Sequence, residues 1–185
     1  MNCFHQNPIK VSSLFLVFCC LLLLFGCQAK KDKFQAGMVE IKVVRVVNGQ
    51  TLQVMGFREQ PSLISEVRLT GISSPPVRQR PWGEASRKRL IELIEDKSFP
   101  VRLEFDAEAK DKYGRTLAYV WKNDNLINEQ LVKEGHALFT ARSPNHKYDS
   151  RLERAQHWSR LMGEGIWNPD NPMRLSPSEF RRVYR

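Results

Sequence analysis

Glu66-Val-Arg-Leu-Thr-Gly-Ile-Ser-Ser-Pro-Pro76 contains the clearest transition from strand to loop in this chain. Its first half alternates apolar and polar side chains with the period of two that is typical of a β-strand. The two prolines at its end cannot donate a hydrogen bond to a continuing ladder. The pattern therefore predicts a strand that carries Arg68 and ends in a loop at residues 73–76.

The flanking segments predict a small α+β domain. Residues rich in β-branched side chains predict further strands over 41–47, 51–55, 101–105 and 116–121, and Asn48-Gly49 predicts a hairpin turn. Apolar residues at helical spacing predict helices over 84–94, 128–134 and 149–161. Three strands, a helix, two strands and two helices indicate a closed or nearly closed antiparallel barrel.

The N-terminus resembles a bacterial lipoprotein leader. An almost wholly apolar run from Leu14 to Phe25 is too short to span a bilayer comfortably, and it ends in Gly26-Cys27. We expect a signal peptide in residues 1–26, a lipid on Cys27 and a tether in residues 27–38. A plain N-terminal membrane anchor is the alternative. The leader predicts a lipid-anchored protein of the bacterial cell envelope, at the outer membrane if the cell is Gram-negative.

The charge favours a polyanionic partner. The formal net charge is +9, and only Lys10 is charged before Cys27, so +8 remains after the leader. Such a bias favours nucleic acid or anionic envelope surfaces, although solubility alone also explains it.

No cysteine follows Cys27, so the domain needs its core or a ligand to hold it together. The proline- and arginine-rich tail, residues 169–185, is expected to be peripheral or disordered.

Several ordered motifs together resemble the staphylococcal nuclease (thermonuclease-like) family. They are residues 48–51, 67–72, 82–86, 111–120, 128–132 and 165–167, with Gly135. The resemblance covers residues 39–168 and implies an OB-fold-like, five-stranded antiparallel barrel with three helices. It also implies a phosphodiester hydrolase in which carboxylates hold Ca²⁺, a glutamate positions water and two arginines clamp the phosphate.

The resemblance carries over to only part of this site. Arg68 and Arg115 match the phosphate-clamping arginines, and Lys112 and Tyr113 match positions that help to bind a nucleotide phosphate. The metal-binding positions hold the neutral residues Gln50, Ser73 and Ser74, and the position of the base holds Pro76. Proline cannot activate water, and oxygen ligands without charge bind Ca²⁺ weakly. We expect no cofactor, or Ca²⁺ if the protein is an active nuclease.

The retained residues also have purely structural explanations. Arg68 could form a surface ion pair with Glu66, Arg115 could be a solvated charge beside a turn, and residues 112–114 could serve only that turn.

Three functions fit these observations. The first is a membrane-anchored degenerate nuclease that binds nucleic acid, another polyanion or a protein partner. The second is an active Ca²⁺-dependent endonuclease whose site is rebuilt from Glu66, Glu84 or Asp106. The third is an envelope assembly protein. The missing carboxylates and the positive charge favour the first.

Overall fold

The structure, a computed structural model, describes residues 37–56, 63–95 and 99–184. The predicted leader, Cys27 and the tether up to residue 36 lie outside these ranges. The strands are β1 Val39–Asn48, β2 Thr51–Met55, β3 Ser65–Leu69, β4 Ile72–Ser73, β5 Val101–Glu104, β6 Thr116–Lys122, β7 Asn125–Leu126 and β8 Leu138–Phe139. The helices are α1 Trp82–Glu95, α2 Ile127–Lys133, α3 Asp149–Met162 and α4 Pro177–Val183, with a 3₁₀ turn at Gly165–Trp167.

A barrel of β1, β2, β3, β5 and β6 forms the centre of the domain. The strand order is β3-β2-β1-β5-β6-β7, and an additional pairing of β3 with β6 closes the barrel. The barrel predicted from the sequence is confirmed, with one correction to its pairing. The closing pair β3–β6 is parallel, whereas the other barrel pairs are antiparallel, so the barrel is mixed.

Strand β6 joins the two sides of the barrel. Its first residues, Thr116–Ala118, pair with β3, and its later residues, Tyr119–Lys122, pair with β5. Every residue of β6 is buried, which fits a strand covered on both faces. The residue immediately before β6 is therefore held beside β3.

The predicted hairpin is confirmed, while the predicted third strand is interrupted. β1 and β2 pair with Asn48 opposite Thr51, and Asn48 Oδ1 accepts a hydrogen bond from the N–H of Gln50 at 3.0 Å. The third strand stops at Leu69, because Gly71 has a φ of 76° that an extended strand does not accommodate. The chain resumes as β4, which pairs with β8.

The core fills the barrel and the space beneath the helices. Its fully buried members include Leu52, Val67, Leu69, Leu90, Leu103, Tyr119, Leu131 and Leu152. Buried Asn128 links α2 to the barrel, because its Nδ2 donates to Thr70 O at 2.8 Å and its Oδ1 accepts from Val120 N at 2.9 Å. A satisfied buried amide of this kind fixes the position of a helix over a strand end.

Part of the C-terminal tail is helical, so of the two sequence-based alternatives, peripheral or disordered, the disordered one does not hold. The structure contains a fourth helix, α4, in the segment that was expected to be peripheral or disordered. Ser176 caps this helix: its Oγ accepts from Glu179 N at 3.2 Å, and Glu179 Oε2 accepts from Ser176 N at 2.8 Å. With Pro177 in the first turn, this is a complete capping box.

Among the residues that the structure describes, no helix is both long enough and apolar enough to cross a membrane.

Candidate anion-binding site

The closing strand pair brings the two predicted arginines to one end of the barrel. Arg68 on β3 aligns with Leu117 on β6, and Arg115 immediately precedes β6. Arg68 is only 8% exposed, and its Nη2 lies 3.4 Å from Ile72 O. A surface ion pair with Glu66 is therefore the wrong explanation for Arg68, since Arg68 is buried while Glu66 is exposed.

The turn before β6 fixes Arg115 through Asp111. Asp111 Oδ1 accepts from the backbone N–H of Tyr113 at 2.9 Å and of Arg115 at 3.0 Å, and Oδ2 accepts from Arg115 Nε at 2.8 Å. Gly114 closes the turn with a φ of 78°. Burial of Asp111 acts to raise its pKa, but the hydrogen bonds from Arg115 and Tyr113 outweigh burial and lower it below the usual range. Arg115 is thus a positioned group rather than a freely solvated charge.

Lys112 and Tyr113 form an exposed edge beside Arg115. Tyr113 is 70% exposed, and its ring centroid lies 5.1 Å from Lys112 Nζ and 5.3 Å from Arg115 Cζ. These distances allow weak cation–π contacts at a solvated site. The ring and the ammonium group are therefore accessible to a ligand that approaches Arg115.

The positions that the resemblance marks as degenerate metal positions are packed against one another. Gln50 is buried, and its Oε1 accepts from the backbone N–H of Ser74 at 2.7 Å. Ser73 and Ser74 are buried as well, and Pro76 is half-buried. The hairpin residue Gln50 thus fixes the loop at residues 73–76 through a neutral hydrogen bond.

Helix α4 adds an arginine that the sequence analysis did not identify. Arg181 Nη2 donates to Ser73 Oγ at 3.0 Å, and Nη1 lies 3.4 Å from Ser74 O. The helix is attached to the loop after Pro76 by Gln79 Nε2, which donates to Leu175 O at 2.7 Å, and by Arg78, which donates to Tyr184 O. Arg181 is therefore held against the degenerate metal positions Ser73 and Ser74 by an ordered element.

Arg68, Arg115, Arg142 and Arg181 form what we call the arginine cluster. Burial lowers the pKa of Arg68 to about 10, assisted by repulsion from Arg115, Arg142 and Arg181 and opposed by Asp111. Burial and the charge of Arg115 also lower the pKa of Arg181. Among the charges that act on Arg68, three other guanidinium groups are opposed by one carboxylate, that of Asp111, which is itself bonded to Arg115. An anion that enters this cluster relieves the repulsion.

The comparisons with known proteins agree with the fold. Residues 66–169 match the family model described as staphylococcal nuclease homologue. The chain belongs to the staphylococcal nuclease family. It is 40% identical to a thermonuclease of Staphylococcus hyicus over 135 residues, which cover 69% of this chain and 75% of that protein.

Two further relatives match most of the chain. A thermonuclease of Staphylococcus intermedius is 32% identical over 88% of this chain and 99% of its own length. An uncharacterized endonuclease of Haemophilus influenzae is 31% identical over 96% of this chain and 86% of its own length. These matches agree with that family, and the names themselves describe only the relatives.

Two of the carboxylates considered for a rebuilt nuclease site lie in other contacts, and the third is exposed. Glu84 pairs with Arg80 at 3.3 Å on the surface, and Asp106 Oδ2 accepts from Lys147 N at 2.9 Å. Glu66 is exposed on β3. Within residues 37–56, 63–95 and 99–184, no group of three or more His, Cys, Asp or Glu side chains is arranged to hold a metal ion.

Arg142 and Arg181 are the site residues that sequence reasoning missed. Arg142 follows β8, and the pairing of β8 with β4 brings Arg142 close enough for its charge to act on Arg68. No local sequence pattern predicts this proximity. Arg181 lies beyond residue 169, where the family match ends. Ser176-Pro-Ser-Glu179 was the available indication, because it has the spacing of a capping box with proline in the first turn.

Proposed function

We propose that this protein is a nucleic-acid-binding member of the thermonuclease family that does not perform Ca²⁺-dependent hydrolysis. The observation that carries the proposal is the arginine cluster around a loop, residues 73–76, that contains no carboxylate. Guanidinium groups match the paired oxygens of a phosphate, and binding depends on their charge rather than on a metal ion. The relatives named thermonuclease and endonuclease support nucleic acid as the polyanion.

The donor set of this loop does not suit Ca²⁺, which binds roughly six to eight oxygens and relies on carboxylate charge for affinity. Gln50 Oε1 is already bonded to Ser74 N, and Ser73 Oγ faces the guanidinium of Arg181. A divalent cation beside Arg181 would meet repulsion instead of attraction. Pro76 has no group that can take a proton from water. We therefore assign no metal-dependent step to these residues.

The remaining groups can bind and orient a strand. The positive charge of the domain attracts the backbone, and Arg115 and Arg68 offer donors to one phosphate. Beside them, the exposed ring of Tyr113 offers a face on which a base can stack, and Lys112 offers a further charge. Binding of this kind is sensitive to salt and tolerant of sequence.

The decisive experiment combines binding and cleavage in one preparation of the full chain. Labelled single- and double-stranded DNA are incubated with the protein in Ca²⁺ or in EDTA, and anisotropy and strand length are followed together. We expect salt-dependent binding that EDTA does not change, with intact strands throughout. Chelator-sensitive cleavage that disappears in Arg115→Ala would overturn the proposal and establish a nuclease. Absence of binding at low salt would favour the envelope assembly function.

We also propose that a lipid on Cys27 anchors the domain in the bacterial cell envelope. The support is the short apolar run that ends in Gly26-Cys27. The mass of the mature protein, compared with that of Cys27→Ser, tests this: equal masses apart from the substitution would contradict lipidation.

A further inference from the structure

We propose that Arg181 takes over the electrostatic role of a metal ion, so that α4 completes a metal-independent site for one phosphate group of a nucleic-acid strand. This inference rests on the proposed function and identifies the cation that completes the site. It assigns a binding role to a residue outside the matched family region, residues 66–169.

The contacts of Arg181 carry the first step. Its guanidinium bonds to Ser73 Oγ at 3.0 Å and approaches Ser74 O at 3.4 Å. By the family resemblance, Ser73 and Ser74 occupy the part of the loop where acids hold the metal ion. A positive group therefore lies where the family places a cation, and the serine oxygens serve as its acceptors.

The attachment of α4 carries the second step. The capping box at Ser176 defines the start of the helix, and the bonds Gln79–Leu175 and Arg78–Tyr184 fasten both of its ends to the loop after Pro76. Phe180 and Tyr184 stack with ring centroids 4.6 Å apart, and Arg78 lies 5.8 Å from the Phe180 ring. Arg181 is thus presented by a fixed element, which reduces the entropy lost when it binds a ligand.

The unused donors of Arg181 carry the third step. A guanidinium has about five N–H donors in a rigid fork. The two contacts to Ser73 and Ser74 use one donor on each terminal nitrogen. Arg68 contacts Ile72 O and Arg181 contacts Oγ of the next residue, Ser73, so the two guanidinium groups lie at adjacent residues, and the charge of Arg115 lowers the pKa of Arg181. Further N–H donors of Arg181 can then bond to a phosphate oxygen. Arg68, Arg115 and Arg181 can therefore act on one anion.

The test compares two arginines of the same helix. Arg181 is half-buried against the loop, whereas Arg182 is exposed, so Arg182→Ala removes an equal charge without touching the site. Each full-length variant is titrated with a labelled single-stranded oligonucleotide at several salt concentrations, in EDTA and in Ca²⁺. Circular dichroism of Arg181→Ala and Arg181→Lys checks that both remain folded.

We expect Arg181→Ala to weaken binding about tenfold to a hundredfold, in EDTA as in Ca²⁺. The slope of log K against log salt, which is negative, should become shallower by about one. Arg181→Lys should recover part of the loss, and Arg182→Ala should stay within about twofold of the unaltered protein.

If Arg181→Ala binds the oligonucleotide as tightly as the unaltered protein or more tightly, this inference is overturned while the proposed function stands. Helix α4 would then cover the anion-binding site instead of completing it. Failure of the unaltered protein to bind would instead overturn the proposed function, and this inference with it.

Discussion

Two clusters of ionised side chains in this domain differ in their balance of charge. In the Glu104 cluster, one carboxylate accepts hydrogen bonds from Trp121 Nε1 at 2.7 Å, from Tyr148 OH at 2.8 Å and from Lys147 Nζ. In the arginine cluster, Arg68 is repelled by three other guanidinium groups and attracted by one carboxylate, that of Asp111. The first cluster satisfies itself, and the second is left with excess positive charge.

The pKa shifts of Glu104 and Arg68 show the same difference in charge balance. Burial acts to raise the pKa of Glu104, but bonds from Lys147, Tyr148 and Trp121 bring it below its usual value, so the charged form is favoured in the fold. Burial and like charges lower the pKa of Arg68, so its charged form is disfavoured. A satisfied cluster stabilises the fold, whereas an unsatisfied one stores repulsion that a ligand can relieve.

The largest expected effect separates binding from stability at Arg68. Arg68→Met should weaken oligonucleotide binding about a hundredfold, because it removes the most buried donor of the cluster. The ligand-free protein should gain about 1 kcal/mol in its free energy of unfolding, because a repelled buried charge becomes an apolar side chain. Anisotropy titrations and urea unfolding measure the two quantities.

Arg102→Met is the matched control for that change, since Arg102 pairs with Asp124 at 2.9 Å on the surface. Its binding should stay within about twofold of the unaltered protein. A loss of more than about 2 kcal/mol in Arg68→Met would show that Arg68 supports the fold instead.

The Glu104 cluster should respond in the opposite way. Glu104→Gln should lower the free energy of unfolding by about 2 kcal/mol, because three donors lose their charged acceptor. Under conditions in which the variant is fully folded, its affinity for the oligonucleotide should change less than about twofold. A large loss of binding in Glu104→Gln would contradict the separation of the two clusters.

The smallest expected effect concerns Asp111 and pH. Its folded pKa is lowered, so its contribution to stability is present above the unfolded value of about 3.9 and is lost as the pH falls through the folded value. At pH 7 the free energy of unfolding of Asp111→Asn should therefore be lower than that of the unaltered protein by about 1 kcal/mol. The difference should begin to shrink as the pH falls below about 4 and should vanish below the folded pKa of Asp111. If the difference in free energy of unfolding does not change with pH, the charge of Asp111 does not contribute to that difference.

Local patterns were sufficient to predict most of the fold. The alternation around Val67, the Asn48-Gly49 turn and the helical spacing near Leu90 each depend on neighbours in sequence, and each element was found. The parallel closure of β3 on β6 was not predicted, because that pairing joins distant segments and leaves no mark on either strand.

The site was predictable only where its residues lie in recognisable motifs. Arg68 and Arg115 are found together, as the motifs indicated. Arg181 was missed because the arginine- and proline-rich tail has the composition of a disordered segment, and its capping box spans only a few residues. Its role depends on contacts with Ser73 and Ser74 that no local pattern encodes.

The parallel pairing of β3 with β6 also has a consequence for the folding kinetics. Arg68 and Arg115 are distant in sequence and become neighbours only when this pair of barrel strands forms. Contacts of such long range form slowly, because the entropy cost of loop closure comes before the stabilisation from strand pairing. A phosphate ligand that needs both arginines would bind the closed barrel and not the open one, so it would slow unfolding while leaving the rate of refolding almost unchanged.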